Sequence, residues 1–411
     1  MHGLSKGRGF WGGRSSRRVL LAAALSVALL AAGCGGGGGA GTAGSGQKAP
    51  AGGGSASAEV TYPSEVTIGA LVPLTGTGAS YGVLDSNGAN LAVEQLNAKG
   101  GVKGIKIKIE YEDHQAKPQV AITGFNRLVD VHKVPYVLSS YSSVTLAVAP
   151  LADEKKVVVM NGGGQSDNLA GAAKYLFNDI PLVGFEARSL AQYLVKERGV
   201  KTAAIIFAND DGGRSSLKAF KEAFTQAGGT IVAEEASELG GSDFRPQLAK
   251  IKSKNADVMF IATYGRDTAV IIKQAREVGV PGVYANTSWS VIPDVFKLPE
   301  AEGLLFTALH FTPEAGFAEA YKAKYGEDPA LYSLTFYDGV MIFAKALEWV
   351  VDHKLPLNGE SIYKAIKEIR TFPGGAGPVT FADDGTSTKD VAIRVLKNGK
   401  GEDVKILKAG Q

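Results

Sequence analysis

The chain has 411 residues, 44 Lys and Arg against 41 Asp and Glu, and a formal net charge of +3. Residues 1–33 carry five of the basic residues and no acid, so the remaining chain has a net charge of 3 − 5 = −2. The excess of positive charge therefore belongs to the leader, and it does not indicate nucleic-acid binding. The single cysteine excludes a disulfide framework.

The leader has the three-part layout of an export signal. Basic residues up to Arg18 precede an uncharged apolar run at 19–32, which ends at Gly33 and Cys34. As a helix this run would be about 21 Å long, short of a hydrocarbon core of about 30 Å. We therefore expect a signal peptide in 1–33 rather than a transmembrane helix.

The end of the leader resembles a bacterial lipobox, because small residues at 31–33 precede Cys34. We expect lipidation at Cys34, with an ordinary cleaved signal as the alternative. The pair Arg17-Arg18 leaves both the general and the twin-arginine export routes open. Residues 34–58 are rich in Gly, Ala and Ser, a composition that predicts a flexible tether with a reach on the order of 25 Å.

After Pro63, short β-branched runs alternate with longer amphipathic stretches. The runs predict strands at 66–72, 105–111, 136–138, 157–160, 203–208, 230–233, 258–262 and 283–285. The amphipathic stretches predict helices at 84–98, 118–131, 145–154, 185–198, 215–227, 246–253 and 268–278. The last third predicts helices at 316–325, 332–351 and 359–369, then strands at 379–381, 391–396 and 404–407.

This alternation is typical of parallel sheets that are covered by helices on both faces. Eight strands before the last third, in a folded part of roughly 350 residues, fit two doubly wound α/β lobes better than one. The change of pattern in the last third indicates a chain that crosses back between the lobes.

Several kinds of chemistry lack the residues they need. The five histidines are scattered without metal-ligand spacing, and the chain has neither a phosphate-binding P-loop nor a Gly-x-Ser-x-Gly motif. The glycines at 76, 78 and 82 have a spacing one residue longer than a dinucleotide fingerprint. We therefore expect no metal, no cofactor and no catalysis.

Three loops that follow predicted strands lie where open α/β sheets bind ligands. Loops 139–143, which includes Ser142 and Ser143, and 161–166 are rich in hydroxyls and glycines, and each leads toward a helix. Hydroxyls and free backbone amides at helix N-termini suit a carboxylate, although ordinary helix capping explains the same residues. Loop 263–267 contains Arg266, which is either a carboxylate clamp or simply solvated.

Aromatic residues recur at comparable loop positions, as in the walls of small-ligand sites. They are Tyr81, Tyr141, Tyr264, Trp289 and Tyr332. Each alone could equally be part of a core or a rim.

Several motifs together resemble the branched-chain amino-acid (leucine/isoleucine/valine) type of ABC-transporter solute-binding protein. They are IGALVPLTG at 68–76, Tyr81-Gly82, NAKGGVKG at 97–104, QAREVG at 274–279, YGEDP at 325–329 and Tyr337-Asp338-Gly339. The resemblance implies two α/β lobes joined by three crossovers, which close on a small solute and deliver it to an ABC permease and its ATPase. It places lobe 1 in 59–180 and 311–388, and lobe 2 in 181–310 and 389–411.

The resemblance also implies site residues. Tyr81, Ser142, Gly163, Gln165, Tyr264 and Tyr332 fall where the family lines its cleft, and Ser143, Arg266 and Trp289 complete the set of candidate ligand-binding residues. In amino-acid binders of this type, Ser142 and the loop 163–165 would receive the ligand carboxylate.

The sequence departs from that pattern in two places. The acid that would pair with the ligand ammonium falls in 286–289, where no carboxylate is present, and neither Asp267 nor Asp294 matches its position. Gly213 stands where the family has an aromatic residue, which leaves room for a longer ligand. We therefore expect a carboxylate without an α-ammonium, aliphatic or aromatic, with an amino acid as the alternative.

Two other functional classes stay open. A ligand-sensing domain for signalling would need a following transmembrane helix or signalling domain, and none follows before Gln411. An exported enzyme would need a nucleophile–base pair or a cofactor loop. The sequence favours a binding protein that closes on its ligand.

Overall fold

The computed structural model describes residues 60–310 and 315–408. The predicted signal peptide, the tether and Cys34 lie outside these described residues. Within the described ranges, no helix is both long and apolar enough to span a bilayer. No group of three or more His, Cys, Asp or Glu in those ranges could hold a metal ion.

Two large sheets organise the chain. The first has the order β2-β1-β3-β4-β5 and the second has the order β14-β13-β10-β9-β8-β6-β7, while β11 and β12 form a small pair. The strands are β1 Glu65–Val72, β2 Lys106–Asp113, β3 Tyr136–Ser139, β4 Val158–Asn161, β5 Leu176–Asn178, β6 Thr202–Ala208, β7 Thr230–Ser237, β8 Val258–Ala262, β9 Val283–Asn286, β10 Leu305–Leu309, β11 Thr371–Phe372, β12 Val379–Thr380, β13 Val391–Lys397 and β14 Lys400–Leu407. We call the first sheet and the helices packed on it lobe 1, and the second sheet and its helices lobe 2.

Helices connect the strands and cover the sheets. They are α1 Ala79–Ala98, α2 Pro118–Asn126, α3 Ser142–Lys155, α4 Val183–Lys196, α5 Asp211–Gln226, α6 Arg245–Lys252, α7 Arg266–Val278, α8 Pro293–Phe296, α9 Ala315–Tyr325, α10 Leu331–Asp352 and α11 Gly359–Ile369. Short 3₁₀ turns lie at Gly76–Gly78, Asp167–Leu169, Ser288–Ser290 and Pro299–Ala301, and a π turn at Arg127–Val131 extends α2.

All strand pairs of the first sheet are parallel. The second sheet is parallel from β7 to β10, and β13 and β14 join it antiparallel. Strands such as β3, β4 and β8 are buried along their whole length, because helices cover both faces. The structure confirms the predicted two-lobe α/β fold.

The strand order reverses once in each sheet, and these reversals position the site. In lobe 1 the connection after β1 leads to one edge of the sheet and the connection after β3 leads toward the other edge. In lobe 2 the connections after β6 and β8 diverge in the same way. The loops on either side of such a switch point diverge, which opens a crevice beyond the carboxyl ends of the strands.

The predicted elements differ from the observed ones mainly at their starts. Helices α1, α3 and α5 begin several residues earlier than predicted, at Ala79, Ser142 and Asp211. Their first turns are polar or rich in glycine and carry no apolar stripe, so periodicity cannot detect them. The sequence prediction missed β5, β10, β11 and α8, which have only two to five residues each.

The chain passes between the lobes three times, after β5, after β10 and before β13. A buried charge cluster joins two of these connections. The ammonium of Lys389, just before β13, lies 3.2 Å from Asp179 Oδ1 and 3.1 Å from Asp338 Oδ2, and the two acids are fully buried. Burial raises the pKa of Asp179, and the Lys389 charge opposes that shift. This cluster anchors the crossovers to α10.

Replacing Lys389 by Met should therefore destabilise the fold strongly. The change leaves two buried carboxyl groups without their cation, which typically costs about 3–5 kcal/mol. Chemical denaturation of the purified domain measures the free energy of unfolding. Lys322→Met is the matched control, because Lys322 and its partner Asp328 are both exposed and such pairs contribute little. Equal losses for the two variants would contradict a special role for the buried cluster.

Candidate ligand-binding site

A cavity lies between the two lobes, at the switch points of both sheets. Lobe 1 contributes Tyr81, Asp85, Ser140, Tyr141, Ser142, Gly163, Gln165 and Tyr332 to its walls, and lobe 2 contributes Tyr264 and Trp289. The volume open to the centre of a water molecule is about 20 Å³. A single water needs about 10–15 Å³ by the same measure. The cavity therefore has room for little more than one water molecule, so a larger solute requires the lobes to move apart.

The N-terminus of α3 forms one end of the cavity. Tyr141 precedes the helix with φ of +67°, an uncommon conformation for a residue other than glycine. This turn presents Ser142 as the first helical residue. The Ser142 hydroxyl oxygen accepts hydrogen bonds from the backbone N–H groups of Gln165 and Ser166, both at 3.0 Å. Its proton is left to donate, next to the unpaired amides and positive dipole of a helix N-terminus.

A glycine loop after β4 wraps closely around this end. The side chain of Asn161 shapes the loop, since it accepts a hydrogen bond from Gly164 N–H at 2.7 Å and donates to Gly164 O at 2.6 Å. A Cβ at Gly163 would lie 2.5 Å from the Cβ of Ser140. Position 163 therefore requires glycine, because any side chain would push the two loops apart.

Gln165 links the lobes through a fully buried network. Its Nε2 donates to Glu186 Oε1 at 2.8 Å, and its Oε1 accepts from the indole N–H of Trp289 at 2.6 Å. Glu186 also accepts hydrogen bonds from Ser288 N–H and Oγ, both at 2.9 Å, and from the Thr307 hydroxyl. Burial raises the pKa of Glu186, and these donors oppose the shift. Glu186 is thus a buried carboxylate whose oxygens are well compensated.

Tyr81 makes a second link between the lobes. Its hydroxyl donates to the carbonyl oxygen of Trp289 at 2.8 Å and accepts from Gly265 N–H at 2.7 Å. Both partners belong to lobe 2, whereas Tyr81 lies on α1 of lobe 1. These bonds form only when the lobes are together, so they stabilise closure directly.

Aromatic rings enclose the cavity in edge-to-face contacts. Ring centroids are 4.8 Å apart for Tyr81 and Tyr332, 5.4 Å for Tyr141 and Tyr264, and 5.2 Å for Tyr264 and Trp289. The hydroxyl of Tyr264 also donates to Asp210, and burial raises the pKa of that carboxyl to about 6. Such walls bury apolar surface and present π-electron density to a ligand.

Among the residues that the structure describes, Asp85 provides the one carboxyl group that lines the cavity. It lies on α1 one turn after Tyr81, is fully buried, and neither of its oxygens has a hydrogen-bond partner among the described residues. Burial raises the pKa of Asp85 well above its ordinary value, and the neighbouring Ser140 hydroxyl offsets this only in part. Glu186 accepts several hydrogen bonds, whereas Asp85 accepts none from the described residues. Burying a carboxylate without such compensation is costly in free energy.

Comparison with known proteins settles the family of this chain. Residues 65–401 match the sequence profile of the family described as periplasmic binding protein. The chain belongs to the periplasmic binding protein family. The Leu/Ile/Val-binding protein BraC3 of Rhizobium johnstonii is 27% identical over 343 residues, 79% of this chain and 89% of that protein.

Solved structures agree with this assignment. The branched-chain amino acid transporter substrate-binding protein LivJ of Streptococcus pneumoniae, in complex with isoleucine, is 26% identical, with a TM-score of 0.77 over 84% of this chain and 99% of that one. An ABC-transporter solute-binding protein of R. palustris, in complex with benzoate, is 19% identical and shares the fold with a TM-score of 0.77 over 84% and 97% of the two chains. The family of this periplasmic binding protein agrees with the resemblance identified in the sequence.

The structure of this periplasmic binding protein brings most of the predicted site residues together. Seven of them, Tyr81, Ser142, Gly163, Gln165, Tyr264, Trp289 and Tyr332, line the cavity. Ser143 and Arg266 are not among the lining residues, and Arg266 is exposed at the start of α7. A carboxylate clamp at Arg266 therefore has no support in this geometry, while ligand contact by the other seven stays a prediction.

The two acids considered as ammonium partners in the sequence lie outside the cavity wall. Asp267 accepts a hydrogen bond from Gly240 N–H at 2.8 Å, and Asp294 accepts one from Ser80 Oγ at 2.6 Å; neither lines the cavity. The carboxyl group that does line the cavity is that of Asp85, which the sequence analysis did not single out. One signal could have found it: an acid on the apolar stripe of α1, between Leu84 and Gly88.

The interpretation of Gly213 was also wrong. Gly213 is buried inside α5, and a Cβ there would overlap the carbonyl oxygen of Ala208. Its glycine serves helix-to-strand packing and leaves no space for a ligand. Gly212 is the glycine beside the site, since a Cβ there would lie 3.3 Å from Ser142 Oγ and 3.6 Å from the indole of Trp289.

The two neighbouring glycines should therefore respond differently to alanine. Gly213→Ala should destabilise the protein by about 1–3 kcal/mol, the usual cost of overpacking a core, whereas Gly212→Ala should leave the free energy of unfolding nearly unchanged. Denaturant unfolding of both variants measures this difference. In a binding assay, Gly212→Ala should lower the affinity for any solute seated between Ser142 and Trp289. A destabilised Gly212→Ala with normal binding would contradict this placement.

Proposed function

We propose that this protein captures a small solute carrying a carboxylate in the cleft between its lobes and delivers it to an ABC permease with its ATPase. One observation carries the proposal: a cavity whose walls come from both lobes is lined by Ser142 at the N-terminus of α3. No catalytic step is part of the proposal.

The chemistry at α3 favours a carboxylate. The Ser142 hydroxyl has its acceptor sites occupied by two backbone amides, so its remaining role is to donate. A helix N-terminus adds free N–H groups and a partial positive charge. Isoleucine and benzoate, the ligands of the two related structures, share a carboxylate and an apolar body. The aromatic walls of this cavity suit such a body.

Closure of the lobes is the proposed working motion. We propose the lobe boundaries predicted from the sequence, 59–180 with 311–388 and 181–310 with 389–411, with the hinge in the three connections between them. A ligand shifts open toward closed only by its higher affinity for the closed form. The hydrogen bonds of Tyr81 and Gln165 across the cleft are the protein's own contribution to that form.

The proposed location is the outer face of a membrane. Its support is the leader with Cys34 and the following tether in the sequence, together with the periplasmic binding protein family. A lipid at Cys34 would hold the folded part close to the permease. Replacing Cys34 by Ala should move the protein from the membrane fraction to the soluble fraction on cell fractionation. Unchanged membrane association would contradict lipidation at this residue.

A ligand screen tests the proposed function. The folded part, from Ala58 onward, is stripped of ligand by unfolding and refolding, and its melting temperature is measured with amino acids and with aliphatic and aromatic carboxylates. A ligand at 100 times its dissociation constant stabilises by about 2.7 kcal/mol, which raises the melting temperature measurably. Absence of any stabilising compound in both panels would contradict the proposal.

Ser142→Ala should weaken binding of a carboxylate found in that screen by about 1–3 kcal/mol, because it removes a buried hydroxyl donor. The same change leaves the N–H groups of Gln165 and Ser166 without their acceptor, so some loss of stability should accompany it. Ser143→Ala is the matched control, since Ser143 does not line the cavity. Isothermal titration calorimetry compares the variants, and equal affinity of Ser142→Ala and wild type would remove Ser142 from the site.

A further inference from the structure

Asp85 is the least compensated charge at the site. The cavity is lined by ten residues, none of which is Lys, Arg or His, and neither Asp85 oxygen is hydrogen-bonded within the described residues. Glu186, equally buried, has four hydrogen-bond donors. A structural role therefore explains Glu186 and does not explain Asp85.

A buried carboxylate without donors can be compensated in only a few ways. It can take up a proton, pair with a cation of the protein, or pair with a cation of a ligand. Pairing with a cation of the protein is excluded for the described lining residues, since none of them is basic. Proton uptake alone would not explain why an acid stands here, because Asn or Leu could be buried at a lower cost in free energy. The third makes use of the position of Asp85, whose side chain faces the cavity.

The walls around Asp85 suit a cation as well. Tyr81, Tyr141 and Tyr332 all line the same cavity, and each phenol is close enough to Asp85 for the carboxylate charge to raise its pKa further. These rings therefore stay neutral at physiological pH. Aromatic rings attract an organic cation held against them, and the effect grows when water is excluded.

We propose that Asp85 and the surrounding tyrosines form a subsite for a cationic nitrogen, so that the solute is a compact zwitterion whose ammonium meets Asp85 while its carboxylate meets Ser142. This inference rests on the proposed function and adds the second recognition group. It replaces the expectation, drawn from residues 286–289, of a carboxylate without an ammonium.

A hydrogen-bond relay positions Ser140 beside Asp85. His114 is fully buried, and burial lowers its pKa to about 4, so the ring is neutral. Its Nδ1 accepts from Ala116 N–H at 2.9 Å, which leaves the proton on Nε2, 3.3 Å from Ser140 Oγ. The imidazole thus donates to Ser140. This hydrogen bond fixes Ser140 in the cavity wall, and neither Asp85 oxygen is hydrogen-bonded to it.

The subsite predicts a pH dependence of stability in the ligand-free protein. Because the folded-state pKa of Asp85 is raised, the folded protein keeps this proton at pH values at which the unfolded chain has lost it. The free energy of unfolding therefore falls as pH rises above about 4, the ordinary pKa of an aspartate. The groups that face Asp85 are the phenols of Tyr81, Tyr111, Tyr141 and Tyr332, with His114 behind Ser140. None of the phenols titrates between pH 4 and 8, since all their pKa values are raised.

Asp85→Asn should therefore melt at a higher temperature than wild type at pH 8, and this advantage should disappear toward pH 4. Melting curves of both ligand-free proteins across this range measure it. An Asp85→Asn variant that melts lower than wild type at every pH would mean that Asp85 is a structural residue, and it would overturn the proposal.

Binding measurements test the subsite directly. The probes are matched pairs that differ only in the ammonium: each amino acid against its deamino carboxylate, for example L-isoleucine against 3-methylpentanoate, titrated calorimetrically into wild type, Asp85→Asn and Asp267→Asn. Asp267 is the matched control, a buried acid whose backbone partner Gly240 can equally donate to an amide oxygen.

We expect an amino acid to bind wild type and Asp267→Asn alike, and to bind Asp85→Asn on the order of 100-fold or more weakly. The deamino carboxylate should bind wild type weakly, and its affinity for Asp85→Asn should equal or exceed its affinity for wild type. Equal affinity of an amino acid for wild type and Asp85→Asn overturns the subsite. Binding of deamino carboxylates, but of no amino acid, to wild type also overturns it. Both outcomes leave the proposed function intact. Failure of both classes to bind wild type overturns the proposed function with it.

Discussion

A carboxylate taken out of water must be met by donors or by a cation, and this constraint governs the cleft of the protein. Glu186 meets it within the protein through the Gln165 side chain, both Ser288 donors and Thr307. Asp85 does not meet it within the described residues. The cleft thus combines one acid that is compensated across the joined lobes with another that we propose a solute compensates.

The fold determines where these acids lie. Each sheet reverses its strand order once, so loops from β1 and β3 face loops from β6 and β8 across one crevice. Tyr81 and Gln165 cross that crevice to reach lobe 2, while the buried Lys389 cluster joins two of the connecting segments to α10. The side chains that hold the lobes together thus border those that we propose for recognition, which would let a ligand favour the closed form.

The sequence was sufficient for the architecture and for most of the cavity. Apolar strands and amphipathic helices predict two parallel sheets, and loops at strand ends predict Ser142, Gly163 and Tyr264. What it could not give was the tertiary environment of individual residues. Gly213 looked like open space, yet it packs on Ala208. Asp85 is hidden within a helical apolar stripe, and only the tertiary fold shows that this part of the stripe faces a cavity. Position in the chain carries no information on which buried acid lacks a partner.

The most direct test of this account is the proton balance of binding. Isothermal titration of a bound amino acid into the wild-type protein, repeated in buffers of different ionisation enthalpy, gives the number of protons exchanged per ligand. The account predicts release of close to one proton at a pH where free Asp85 is protonated, and no such release from Asp85→Asn. Tight binding of the amino acid with no proton released at any pH between about 5 and 8 would contradict the pairing of its ammonium with Asp85.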